Sequence, residues 1–67
     1  MFDGKKLKEY MEKNGITNVA LAKTLGVSEG AVRHIIVGAK QPSLGMANEL
    51  AQMMGVTVDE LIKKEGT

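Results

Sequence analysis

The sequence predicts an all-α fold, a compact domain of five short helices over residues 1–67, and three observations lead to this prediction. Apolar residues recur at the three- and four-residue spacing of helices, and glycines interrupt the pattern. Only two aromatic residues are present, Phe2 and Tyr10, whereas strand-rich folds usually depend on aromatic and β-branched side chains. No stretch alternates apolar and polar residues in the manner of a strand.

Each predicted helix begins at a side chain that can cap its first turn, and the first four end before a glycine. The caps are Asp3, Thr17, Ser28, Ser43 and Thr57, and the glycines are Gly15, Gly26, Gly38 and Gly55. Glu60 completes a capping box with Thr57 and opens the last helix, which we expect to fray after Lys64. The clearest loop runs from Gly38 to Pro42, because proline disfavours a helical conformation at Gln41.

Length and composition exclude several classes of protein. A chain of 67 residues forms one small domain with a limited core. Because there is no cysteine, neither disulfides nor thiolate metal sites can support that core. No apolar run approaches the ~20 residues that cross a bilayer, and the first residues do not resemble a signal peptide. We therefore expect a cytoplasmic protein that does not bind membranes.

The net charge of +1 conceals an uneven distribution along the chain. Residues 1–40 carry seven basic and four acidic side chains, a net charge of +3. Residues 41–67 carry two basic and four acidic side chains, a net charge of −2. A polyanion would approach the first part and avoid the second. Ordinary scatter of surface charge explains the difference equally well.

The connection between the second and third helices is the most informative one. Only Gly26, Val27 and Ser28 separate Leu25 from Glu29, and so short a turn fixes two helices at a steep angle. This spacing is typical of a helix-turn-helix, here over about residues 17–37. Any tight corner between two helices shares these features, so the spacing alone does not establish DNA binding.

The pattern Leu-Ala-x-x-apolar-Gly-Val-Ser/Thr occurs twice, at residues 21–28 and 50–57, and offers two candidate helix-turn-helix units. The second unit would present Asp59 and Glu60 to phosphates, whereas the first carries Arg33 and His34, followed by Lys40. On charge, we assign the first unit to DNA and the second to the scaffold.

Four motifs together resemble the helix-turn-helix regulators of the Cro and phage-repressor type, the xenobiotic-response-element family. They are Leu-Ala at 21–22, Gly-Val-Ser at 26–28, Gly-x-x-x-Pro-Ser at 38–43 and Gly-Val-x-x-x-x-Leu at 55–61. The resemblance runs from about Leu7 to Ile62. It implies a lambda-repressor-like domain of five helices that binds double-stranded operator DNA as a homodimer. The recognition helix, at about residues 28–37, would lie in the major groove.

The resemblance also implies roles for individual residues. Those expected to contact base edges are Glu29, Gly30, Arg33 and His34. Those expected to contact phosphates are Asn18, Ser28, Lys40 and Gln41. Neither a cofactor nor a metal is implied, and we expect no catalytic activity.

The sequence departs from the family pattern at three places. Met11 and Ile36 stand where family members often pair an arginine with a glutamate, and an apolar pair can replace a buried ion pair at little cost. Val37 stands at a place that is usually polar, which predicts an apolar patch near the DNA-facing side. Gly30 lies inside the recognition helix, where it costs roughly 0.5–1 kcal/mol relative to alanine. A close approach to a base pair would explain it, as would drift.

Simpler interpretations of the recognition helix stay open beside these roles. Glu29 and Arg33 stand four residues apart and can form an ordinary pair on a solvated helix face. As a base-reading pair, Arg33 would donate to guanine and Glu29 would accept from cytosine. His34 lacks partners for a metal site or for catalysis, which leaves groove or phosphate contact or a plain surface position.

So short a chain cannot bury every side of its last two helices. We therefore expect a self-association face that includes Val58, Leu61 and Ile62. The sequence predicts a sequence-specific DNA-binding regulator, dimeric on a palindromic site. The alternative is a protein-interaction module, such as an antitoxin-like or accessory subunit, which the weak net charge and the apolar pair Ile36–Val37 favour.

Overall fold

A computed structural model describes residues 1–62, which contain four α-helices and one short 3₁₀ turn. The elements are α1 (Gly4–Asn14), α2 (Asn18–Leu25), α3 (Glu29–Val37), α4 (Leu44–Met54) and the 3₁₀ turn Asp59–Leu61. The all-α prediction is confirmed for the described residues. The β-type pairing within them is one isolated antiparallel bridge between Phe2 and Ile62. That the whole chain, residues 1–67, forms one domain stays a prediction.

The predicted caps of the four α-helices are confirmed. The Asp3 side chain accepts a hydrogen bond from the backbone N–H of Lys5. At the start of each of the other three α-helices, a hydroxyl oxygen accepts a hydrogen bond from a backbone N–H in the first turn. These hydroxyls belong to Thr17, Ser28 and Ser43. Each α-helix ends immediately before one of the four predicted glycines. Local capping chemistry therefore sets the bounds of all four helices.

The prediction of a fifth helix is wrong, although its capping box forms. The Thr57 N–H donates to Glu60 Oε2 at 2.8 Å, and the Glu60 N–H donates back to Thr57 Oγ1 at 3.3 Å. Leu61 accepts from the Asp3 N–H through its carbonyl at 2.6 Å, and Ile62 pairs with Phe2 in the antiparallel bridge, so the chain is held extended after the 3₁₀ turn. Ile62 is already extended, with φ −98° and ψ 122°. The expected end near Lys64 lies outside the described residues.

The core draws on all four helices and on the 3₁₀ turn. Its most buried side chains are Leu7, Leu21, Val32, Leu50 and Leu61. Phe2 adds its ring from the N-terminal segment and is 5% exposed. Because α3 buries Val32 and Ile35 in this core, its opposite face is left for solvent or for a partner.

Candidate nucleic-acid interface

The turn between α2 and α3 has the short form that the sequence predicts. Gly26 adopts a left-handed conformation with φ 72°, and the Val27 N–H donates to the Ala22 carbonyl at 3.0 Å. Ala22 and Val32 are both buried, at 5% and 1% exposure. Both side chains belong to the core that packs α2 and α3 together, and with the short turn this fixes the direction in which α3 projects.

The exposed face of α3 carries the side chains expected to read bases. Glu29, Arg33 and His34 are exposed, and Gly30 is half-buried. Arg33 Nη2 lies 3.4 Å from Glu29 Oε1, with the two side chains 60% and 45% exposed. A pair this long and this solvated is worth about 0.2–0.5 kcal/mol, too little to hold Arg33 against a guanine edge. The structure therefore leaves Arg33 available for a partner.

Gly30 is not required by the packing of this domain. A Cβ built at this position would meet one atom outside its own helix backbone, the Ser28 hydroxyl, at a distance of 4.0 Å. Alanine would therefore fit the free protein without strain. The helix start beside it is occupied, because Ser28 Oγ accepts from the Ala31 N–H at 3.1 Å. The hydroxyl hydrogen of Ser28 remains free to donate.

The residues expected to contact phosphates lie on two sides of α3. Asn18, the first residue of α2, lines a groove of about 320 Å³ together with Arg33 and Val37. Lys40 and Gln41 line a second groove of about 160 Å³. Two residues of α3, Ala31 and Ile35, also line this groove. The structure thus places α3 between the two sets. This arrangement suits a helix that enters a groove between two phosphate backbones.

The loop after α3 is held by backbone hydrogen bonds. The N–H groups of Ala39 and Lys40 both donate to the His34 carbonyl, at 2.8 and 3.1 Å. The Lys40 side chain is exposed. Gln41 accepts a hydrogen bond from the Phe2 N–H through Oε1 at 2.8 Å. No local sequence pattern indicates this contact, since 39 positions separate the two residues.

The larger groove contains the apolar departures from the family pattern. Met11 is 4% exposed, and both it and Ile36 line the groove between α1 and α3. Val37, at the rim, is 68% exposed, in agreement with the expected apolar patch. Lys8 and Glu12 also line this groove, so its rim carries charges of both signs.

The residues expected at a dimer face do not share one environment. Leu61 is fully buried in the core, so the expectation that it takes part in an exposed face is corrected. It is buried because the 3₁₀ turn directs it inward while Asp3 holds its carbonyl. Ile62 is 38% exposed and Val58 is half-buried.

Leu44, which the sequence analysis did not single out, is 74% exposed. It stands at helical spacing from the buried Ala47 and Ala51, so periodicity would assign it to the core. As the first residue of α4 it is nevertheless left in solvent, at the N-terminal end of the helix.

Two further properties concern residues 1–62. No helix in this part of the chain has the length and apolar character needed to cross a membrane. Within the same range, no group of three or more histidine, cysteine, aspartate or glutamate side chains is arranged to hold a metal ion.

Comparisons with known proteins agree with this geometry. The helix-turn-helix family matches residues 7–61. An uncharacterised HTH-type transcriptional regulator of Methanocaldococcus jannaschii is 38% identical over 56 residues, covering 84% of this chain and 85% of that protein. A second, from Bacillus subtilis, is 27% identical over 62 residues, covering 92% and 90%. No solved structure matches significantly. The chain belongs to the helix-turn-helix family of the Cro and phage-repressor type.

Proposed function

We propose that this protein is a sequence-specific DNA-binding transcriptional regulator that inserts α3 into the major groove. The observation that carries the proposal is the position of α3. Its exposed face presents Arg33, Glu29 and His34, and candidate phosphate contacts lie on both sides of it. The names of the two relatives as transcriptional regulators support the same function.

Arg33 is the main candidate for reading a base. Its guanidinium can donate two parallel hydrogen bonds to O6 and N7 of guanine, and its weak pairing with Glu29 does not compete strongly. Glu29 would accept from the amino group of a cytosine. Gly30 would let the backbone of α3 come close to a base pair, because it has no side chain on that side.

The proposed site is a palindrome bound by a homodimer. One protomer has a net charge of only +1, and a second half-site would raise affinity through its high effective concentration. The half-sites would lie about one helical turn, ~34 Å, apart. Ile62 and Val58 contribute apolar surface to the proposed dimer face.

A protein-interaction module is the second candidate function. The net charge of +1 and the exposed Val37 beside Ile36 favour it, because both weaken the case for a polyanion as the main partner. In this case the fold would be kept and the protein would act by docking another protein.

Selection of bound duplexes from a random pool tests the proposed function. The expected result is a recovered consensus with two-fold symmetry, bound at least about a thousandfold more tightly than scrambled DNA at physiological salt. Fluorescence titration of the selected and scrambled duplexes measures that ratio. Recovery of no consensus, with equal weak binding to all duplexes, would favour the docking module.

A further inference from the structure

The carboxamide of Gln41 has a fixed orientation. Its Oε1 accepts the hydrogen bond from the Phe2 N–H at 2.8 Å. An amide nitrogen cannot accept a hydrogen bond, so the oxygen of the side chain must face Phe2. The Nε2 group, with its two hydrogens, therefore takes no part in the hydrogen bond to Phe2.

Phe2 is itself firmly held. Its ring is buried at 5% exposure, and it pairs with Ile62 in the antiparallel bridge. The next residue, Asp3, donates through its N–H to the Leu61 carbonyl at 2.6 Å. The N–H that holds Gln41 is thus anchored to the core and to the segment that follows the 3₁₀ turn.

The free end of the carboxamide is suited to an acceptor from outside the protein. Gln41 is exposed, and within residues 1–62 its Nε2 donates to no protein atom. Lys40 precedes it in the loop and lines the same groove beside α3. Two donors next to an ammonium group match a ligand that offers only acceptors, such as a phosphate oxygen.

We propose that Phe2 is a positioning residue for DNA binding. Its backbone N–H holds Oε1 of Gln41, so that Nε2 donates to a phosphate next to the one that Lys40 meets. This inference rests on the proposed function and adds to it the atom that makes the contact and the segment that orients it. Through the Phe2–Ile62 bridge, the same contact depends on the C-terminal segment that we assign to the dimer face.

The variant Gln41→Glu separates the two ends of the side chain. A carboxylate still accepts from the Phe2 N–H, so the melting temperature should stay the same, but it replaces the donor with a negative charge. Binding to every duplex should weaken by about tenfold or more at moderate salt. Gln52→Glu, on the exposed surface of α4, makes the same charge change and should cost less than about threefold.

Replacing the peptide N–H of Phe2 by an ester oxygen, in a chemically synthesised full-length chain, tests the positioning role. The ring and the sequence are kept, and affinity should fall by about two- to fivefold. Duplexes with single neutral methylphosphonates give the specific readout. One substitution should weaken the unchanged protein, should weaken the ester less, and should not weaken Gln41→Glu, because its carboxylate repels that phosphate rather than donating to it.

Three results would overturn this inference. They are equal losses for Gln41→Glu and Gln52→Glu, parent-like binding by the ester, or methylphosphonates that weaken Gln41→Glu as much as the unchanged protein at every position. The proposed function would survive each of them, because the unchanged protein would still select a consensus. If the unchanged protein selects no duplex, both proposals fail together.

Discussion

Gly4, the first residue of α1, lies directly against the carbonyl group of Ile36 near the end of α3. A Cβ at Gly4 would overlap that carbonyl and would lie 2.7 Å from the carbonyl oxygen of Ile35. These are backbone atoms of a helix and cannot move aside as a flexible side chain could. The absence of a side chain at residue 4 therefore sets how closely α1 approaches the helix that we assign to DNA.

Gly4→Ala should destabilise the protein, by about 1–3 kcal/mol, because it overpacks this contact. Gly45→Ala is the matched control, since it also lies near the start of a helix and a Cβ there would meet nothing within 4 Å. The control should stabilise the protein by about 0.4–1 kcal/mol through the unfolded state. Urea denaturation measures both changes, and similar values for the two variants would show that the close approach is unimportant.

Met11 and Ile36 should be coupled across α1 and α3. Met11→Arg alone should destabilise, because it places an unpaired charge beside an apolar side chain in the groove. Met11→Arg with Ile36→Glu should recover much of that loss by forming an ion pair. A double-mutant cycle measures the coupling, and a value below ~0.5 kcal/mol would contradict the pairing.

Gly30→Ala should have opposite effects on stability and on binding. Within residues 1–62, a Cβ at Gly30 comes no closer than 4.0 Å to the nearest atom found, the Ser28 hydroxyl, so the free energy of unfolding should rise by about 0.5–1 kcal/mol. If α3 approaches a base pair at this point, affinity for the selected duplex should fall by about 1–3 kcal/mol. Thermal unfolding and titration are measured on the same preparation. Unchanged affinity would leave Gly30 with no role in recognition.

Local signals were sufficient for much of the fold. The caps Thr17, Ser28 and Ser43 were predictable because each bonds to a backbone group three residues away. The fifth helix was predicted by the same logic, and there it failed. The pairing of Asp3 with Leu61 and of Phe2 with Ile62 holds the chain extended where the helix was expected to continue, and no local pattern records these contacts.

The candidate site was predictable to a similar extent. The short turn at Gly26 and the charge on α3 follow from adjacent residues. The tie from Phe2 to Gln41 does not, because it joins two parts of the chain that only the tertiary fold brings together. Burial at helix ends was equally inaccessible, as Leu44 and Leu61 show, since both fit helical periodicity and only one is buried.

Self-association should be weak in free protein and stronger on DNA. Ile62→Asp should place a charge on the proposed dimer face and weaken binding to a full palindrome much more than to a single half-site. Leu44→Asp, at an exposed apolar position on α4, is the comparison that tests whether this face includes the start of that helix. Sedimentation at high protein concentration, with and without the palindrome, gives the stoichiometry. A one-to-one complex on the palindrome would contradict the homodimer.

Arg33 should contribute to sequence specificity, whereas Lys40 should contribute to affinity for DNA of any sequence. Arg33 lies at the middle of α3 with 60% of its side chain exposed, where a forked donor can reach a guanine edge. Arg33→Ala should reduce the binding free energy by about 1–3 kcal/mol on the selected site and change it little on scrambled DNA, so that specificity is lost at one base pair.

Lys40 lies in the loop beyond α3, where its charge can meet a phosphate. Lys40→Ala should weaken binding to all sequences alike and reduce the salt slope by about one for each protomer.

Both variants should remain folded, because both side chains are exposed and neither contributes to the core. Lys23→Ala, another exposed basic position on α2, controls for the loss of one positive charge. The measurement is affinity against salt concentration, for each variant on the selected and scrambled duplexes. Equal losses on both duplexes for Arg33→Ala, or an unchanged salt slope for Lys40→Ala, would contradict these roles. If both variants bound as the parent does, the protein-interaction module would become the better account, because α3 would then carry its charges without using them on DNA.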